Sequence, residues 1–176
     1  MLTVIPSTAI DIYRMLPEGT RCEVIDNILT MLPSNTSQHQ LTLSAIAVPI
    51  YNHLLRDKLG EIIPGPIDLY FDDNLSVVQP DLLILLNEHL DYIKPDGVYG
   101  APDMVIEILS ASNRLHDTQK KKSLYEKAGV KEYFIVDPAN KEVSLYTLTK
   151  SGTYKEIYQE KNVIKSALLD CKFIFR

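Results

Sequence analysis

Residues 77–86 read VVQPDLLILL and residues 100–109 read GAPDMVIEIL. Within them, Asp81–Leu86 and Asp103–Leu109 are dense apolar runs of the length expected for strands covered on both faces. Each carries an acid. Glu107 stands in Val105-Ile106-Glu107-Ile108-Leu109, where an ionised carboxylate is costly unless it is paired or holds a metal. Asp81 opens the other run directly after Pro80. If the two strands are neighbours, both carboxylates can point to one face and share one divalent cation. Asp103 lies on the same face as Glu107 by period-two counting, but four residues of strand span about 13 Å, too far for those two to share an ion. Each acid also has a structural reading: an ion pair with a lysine for Glu107, and a strand-start carboxylate accepting backbone N–H bonds for Asp81.

The flanking segments supply the rest of the scaffold. Residues 8–16 read as a short helix. Residues 21–25 and 28–32 flank Asp26-Asn27, a pair that tolerates positive φ and predicts a tight N-terminal hairpin. Ser37 and Gln40 have capping-box spacing, so a long helix is expected to start near Gln38. It is apolar on two sides (Leu41, Ala45, Val48 and Leu55; Leu43, Ile46, Ala47, Ile50 and Leu54), which predicts a largely buried helix kinked at Pro49 and ended by Gly60. Strands are expected at Glu61–Ile63 and Ile67–Phe71, a turn at Asp72-Asp73-Asn74, and a loop over Asn87–Ala101. A helix over Leu115–Ala128, stopped by Gly129, precedes a buried strand at Glu132–Val136. A C-terminal hairpin turns at Ser151-Gly152. The pattern predicts an α/β fold with a mixed central sheet flanked by helices.

The helix over 115–128 provides a cation. Leu124, Tyr125 and Ala128 form its apolar stripe, and counting back by 3, 4 and 7 puts Lys121 on that stripe, with Asp117 one turn further back. One ammonium group therefore faces the sheet, while Lys120 and Lys122 are displaced to either side.

The chain has 176 residues, 45% of them apolar and 23% charged. That suits one domain over residues 1–176 and excludes a disordered polyelectrolyte. No apolar run reaches the roughly 18 residues of a membrane span, and the N-terminus lacks the pattern of a signal peptide. Two distant cysteines, Cys22 and Cys171, have no metal-ligand spacing and suit a reducing cytoplasm. The net charge of −5 excludes a nucleic-acid grip through the bulk field. Residues 113–132, however, hold six lysines and arginines against three acids, a local basic surface compatible with a phosphate-bearing ligand.

Pro80-Asp81, followed by Glu107 in an apolar strand, resembles the PD-(D/E)XK nuclease superfamily. The stretches CEVIDNILTM (22–31), SQHQ (37–40), VVQPDLLIL (77–85), GAPDMVIEILSASNRLHD (100–117) and KKSLYEKAGVKEYFIVDP (121–138) look more closely like the bacterial Uma-two family of endonucleases. The resemblance spans nearly the whole chain. It implies a restriction-endonuclease-like fold and a metal-dependent endonuclease acting on nucleic acid, DNA foremost. Asp81 and Glu107 would hold Mg²⁺ or Mn²⁺, and Lys121 would orient the attacking hydroxide and stabilise developing charge. Glu23 and His39 would stand at the rim of the site, and Arg114, Lys120 and Lys122 would steer the phosphate backbone. The literal superfamily lysine, two residues after the acid, is replaced by Leu109. In the Uma-two pattern it moves to the next helix, four residues after an aspartate, and Asp117 and Lys121 fit that spacing. The usual hairpin glycine is Asn27. His53, His89 and His116 form no ligand spacing. Two alternatives stay open: a nuclease-like module that binds without cutting, and a metal-dependent phosphoesterase of small substrates. A homodimer would match the habit of such nucleases, but no coiled-coil segment is visible.

Overall fold

The computed structural model describes residues 5–71, 75–110 and 114–176, and the expected turn at Asp72-Asp73-Asn74 lies outside them. Helix α1 (Ala9–Tyr13) opens with a reciprocal cap: the Thr8 side chain accepts from Asp11 N, and the Asp11 carboxylate accepts from Thr8 N. Strands β1 (Cys22–Ile25) and β2 (Ile28–Met31) pair antiparallel. Asp26 and Asn27 both take positive φ, 50° and 62°, as a two-residue hairpin turn requires.

Helix α2 (Ser37–Asp57) is capped by Thr36 rather than Ser37, since the Thr36 hydroxyl accepts from His39 N at 3.2 Å. It continues through Pro49 and ends where Lys58 turns left-handed, two residues before Gly60. Gly60 serves the next strand, β3 (Gly60–Pro64), because a Cβ there would lie 2.0 Å from the Leu85 carbonyl oxygen. Only one side of α2 is buried. Leu43, Ile46, Ile50 and Leu54 enter the core, whereas Leu41, Val48, Tyr51 and Leu55 face outward.

Strands β4 (Leu69–Tyr70), β5 (Val77–Val78) and β6 (Leu82–Leu86) follow, then a 3₁₀ turn over Asn87–Tyr92. Strands β7 (Ile93–Lys94) and β8 (Gly97–Tyr99) form a small hairpin inside the segment expected to be a loop. They and β5 are too short for periodicity to register. After β9 (Met104–Ile108), a π-helical turn over His116–Lys121 leads into α3 (Lys122–Ala128), which Gly129 stops at φ 92°. Strands β10 (Glu132–Val136), β11 (Glu142–Leu148) and β12 (Tyr154–Lys161) follow, and β13 (Val163–Ser166) and β14 (Cys171–Ile174) form a further hairpin.

The main sheet has the order β12-β11-β10-β9-β6-β3, with β9 and β10 parallel and the other pairs antiparallel. A second sheet runs β2-β1-β5-β4-β8-β7. Alternation along β9 fixes two cores. Met104, Ile106 and Ile108 pack with Leu82, Ile84 and the buried side of α2. Val105 and Leu109 pack with Leu83, Leu85, Tyr133 and the α3 residues Leu124 and Tyr125. Both central runs are thus covered on two faces, and Glu107, sharing parity with Val105 and Leu109, faces α3. No helix among the described residues is long and apolar enough to cross a membrane.

Candidate active site

The β6–β9 register pairs Leu82 with Ile106 and Leu83 with Val105. One step further along this antiparallel ladder, Asp81 stands opposite Glu107, so the two acids share a face. Asp81 Oδ2 accepts from Ile108 N at 2.8 Å and lies 3.0 Å from His39 Nε2. The first turn of α2 brings His39 there. The other ring nitrogen, His39 Nδ1, is buried without a hydrogen-bond partner.

Lys121 holds the centre. Its Nζ lies 2.6 Å from Glu107 Oε1, 2.9 Å from Glu23 Oε1 and 3.9 Å from Asp117 Oδ1. The inward stripe read from the sequence places it correctly, although a π turn carries it; such turns recur at functional sites. Glu23 comes from the second sheet and is fully buried, not at a rim. Its Oε1 also accepts from Gln79 N at 2.7 Å, and its Oε2 meets His116 Nε2 at 2.7 Å. The Tyr125 hydroxyl donates to Glu107 Oε1 at 2.7 Å.

Three carboxyls therefore surround one ammonium, with Asp81 nearby across the β6–β9 ladder. Burial pushes Glu23 up, but Lys121, His116 and the Gln79 N–H outweigh it and hold the group at about 2. Burial raises Asp117 to about 6, against the pull of Lys121. It raises Glu107 well above the ordinary carboxylate range, helped by the charges of Asp81, Asp117 and Glu23. Burial alone would lower Lys121, yet Glu107, Glu23 and Asp117 keep it charged well above its usual range. The site holds more acid than its lysine can neutralise.

These groups line a cavity of about 20 Å³, enough for one water or ion. Among the residues that line it, Arg21 Nε, His39 Nδ1 and Gln79 Oε1 are buried without a hydrogen-bond partner. Buried polar atoms of this kind are ordinarily satisfied by water or an ion. Hard carboxylate oxygens in acid excess, around an ion-sized space, fit a divalent cation such as Mg²⁺ or Mn²⁺.

The structure brings together Asp81, Glu107, Lys121, Glu23 and His39. Arg114, Lys120 and Lys122 are not among the residues lining this cavity. Arg114 Nη2 pairs with Asp137 at 2.5 Å. Lys122 Nζ sits 3.7 Å over the Tyr146 ring. Lys120 lines a separate cleft beside Ile28 and Lys127. Asp103 lies at the other end of β9, where it accepts from Leu86 N, His89 and Lys131. With Glu88 and His89 it forms a three-ligand cluster, into which the Lys131 ammonium already reaches. The sequence reading gave Arg21, Gln79, His116 and Tyr125 no role in the site. Tyr125 alone carried a signal, one turn past Lys121 on the same stripe.

No curated protein matches the sequence. Among solved structures, the fold is similar to that of "a putative nuclease belonging to DUF820 from Anabaena variabilis", with a TM-score of 0.75 at 16% identity, covering 94% of this chain and 92% of the other. The mixed sheet with its flanking helices and terminal hairpins is thus a restriction-endonuclease-like fold. The family profile described as "Putative restriction endonuclease" matches residues 10–172. The chain belongs to this Uma2 family.

Proposed function

We propose that the cavity is the active site of a metal-dependent endonuclease that hydrolyses phosphodiester bonds in nucleic acid, DNA foremost. The carrying observation is the convergence of Asp81, Glu107 and the buried Lys121 on one ion-sized space. Asp81 and Glu107 would hold the cation, which when bound neutralises phosphate charge and acidifies water. Lys121 supplies a fixed positive charge for the developing negative charge of the transition state. His39 orients Asp81, Tyr125 orients Glu107, and His116 with Gln79 N holds Glu23 against Lys121. Arg21 lines the cavity and would offer its guanidinium to a phosphate oxygen. Arg114, Lys120 and Lys122 lie outside the cavity lining, so any contact they make is to more distant phosphates.

A second reading is a nuclease-like module that binds without cutting. Its supporting observation is Lys121 itself, which already bridges Glu23 and Glu107 as a structural ion pair would. Plasmid cleavage separates the two. The endonuclease reading expects nicking with Mg²⁺ that is lost in EDTA and in Asp81→Ala. Cleavage that survives Asp81→Ala overturns the residue assignment, and no cleavage of DNA or RNA by the wild type favours the binding module.

A further inference from the structure

Of the six lysines and arginines in residues 113–132, four are engaged elsewhere. Arg114 pairs with Asp137, Lys121 is sealed in the cavity, Lys122 lies over the Tyr146 ring and Lys131 reaches Asp103. Lys120 and Lys127 remain. Both are exposed, and neither forms an ion pair among the described residues. Both line one cleft of about 300 Å³ between α3 and the hairpin turn at Asp26.

A second cleft, of about 470 Å³, shares Asp26, Leu124 and Lys127 with the first, so the two form one groove along α3. Its lining is largely apolar: Leu124 and Phe71 are buried there, while Ile28 and Leu75 are exposed by 60% and 42%. Asp26 is the acid among its lining residues. The groove continues from the active cavity. Glu23 of the cavity and Ile25 of the cleft lie on the same face of β1, two residues or about 7 Å apart, and Lys120 is the chain neighbour of Lys121.

An apolar lining edged by two lysines, on a chain of net charge −5, suits a ligand that is apolar and anionic at once. Single-stranded nucleic acid has that chemistry: its unstacked bases offer apolar faces and its phosphates offer charge. In a duplex the base faces are stacked on one another, so the lysines would be served and the apolar lining would not. We propose that the groove holds a single-stranded flank of the nucleic acid whose phosphodiester enters the cavity, with Lys120 and Lys127 on phosphates and Ile28 and Leu75 against bases. An overhang, flap or unpaired segment is then preferred over a fully paired duplex. This inference rests on the nucleic-acid reading of the cavity, whether the protein cuts or only binds.

Fluorescence anisotropy in EDTA reads binding apart from cleavage. A labelled oligothymidylate of about twelve nucleotides should bind the full chain at least about fivefold more tightly than a blunt duplex of the same length. Lys120→Gln combined with Lys127→Gln should weaken that binding about tenfold. The slope of log affinity against log salt should fall by about 1.4, since each single-strand phosphate contact contributes about 0.7. Ile28→Ser and Leu75→Ser should weaken binding with the salt slope unchanged, and Asp26→Asn should tighten it. All of these positions are exposed, so the variants should keep the wild-type circular dichroism. Equal or tighter binding of the duplex overturns the proposal, as does an unchanged salt slope in the double lysine variant. Displacement of the oligothymidylate by polyglutamate as readily as by unlabelled oligothymidylate also overturns it, and assigns the groove to an acidic peptide. Oligothymidylate binding as expected, without plasmid cleavage in Mg²⁺, sinks the cutting reading and leaves the groove standing. Mg²⁺-dependent cleavage with the duplex bound more tightly sinks the groove alone.

Discussion

The Lys121 ammonium lies 2.6 Å from the Glu107 carboxylate, and both side chains are 3% exposed. Acids from two sheets and one helix hold this deep cation; it keeps Glu23 ionised, while burial raises Glu107 and Asp117 against its pull.

Lys121→Met should therefore destabilise the fold by about 3–5 kcal/mol near neutral pH, since it leaves Glu23 buried without its lysine counter-charge and Glu107 without its partner. The loss should shrink on acidification, because Glu107 and Asp117, both raised, then protonate and no longer need the lysine. Urea unfolding of wild type and variant at acidic and neutral pH checks both points. Equal losses at the two pH values would contradict the charge argument.

Asp117 makes a separate pH prediction. Its folded value of about 6 lies above the ordinary 3.8. Across that window the folded chain binds more protons than the unfolded chain, so stability falls as pH rises through it. A shift of that size corresponds to on the order of 1–3 kcal/mol. Asp117→Asn should flatten this part of the stability profile, as read from melting temperatures in a buffer series. Glu23, held at about 2, works in the opposite direction: its contribution is present above its ordinary value of 4.5 and is lost as the pH falls towards 2.

Asp81 and Asp103 should separate chemistry from architecture. Asp81→Ala should abolish Mg²⁺-dependent cleavage. Asp103→Ala should retain cleavage while losing about 2–3 kcal/mol of stability, since it strips partners from Leu86 N, His89 and the Lys131 ammonium. Parallel cleavage and denaturation assays of the two variants give the comparison.

Lys122 should act through packing. Lys122→Ala removes its contact with the Tyr146 ring and should cost about 0.5–1 kcal/mol. DNA cleavage at moderate salt should stay within twofold of wild type. A larger fall in cleavage would assign Lys122 to the substrate after all.

The local chemistry of the chain was legible in its residues. Dense apolar runs at 81–86 and 103–109 announced central strands, the Asp26-Asn27 pair announced its turn, and the stripe through Leu124 and Tyr125 turned Lys121 inward. These features depend on neighbours a few residues apart, and periodicity records them. What lay beyond reach depended on contacts between distant segments. His116 is 93 residues from Glu23, and nothing near either one signals that they meet. Strands of two or three residues leave no period to count. The two apolar sides of α2 look alike in sequence, and only the placement of the sheet decided which one was buried. By itself the sequence determined the family, the strand centres and the inward lysine. Tertiary structure alone decided that Asp81 stands opposite Glu107, that Glu23 is sealed inside, and that Leu41, Val48, Tyr51 and Leu55 face out, because register and burial are properties of packed pairs rather than of single segments.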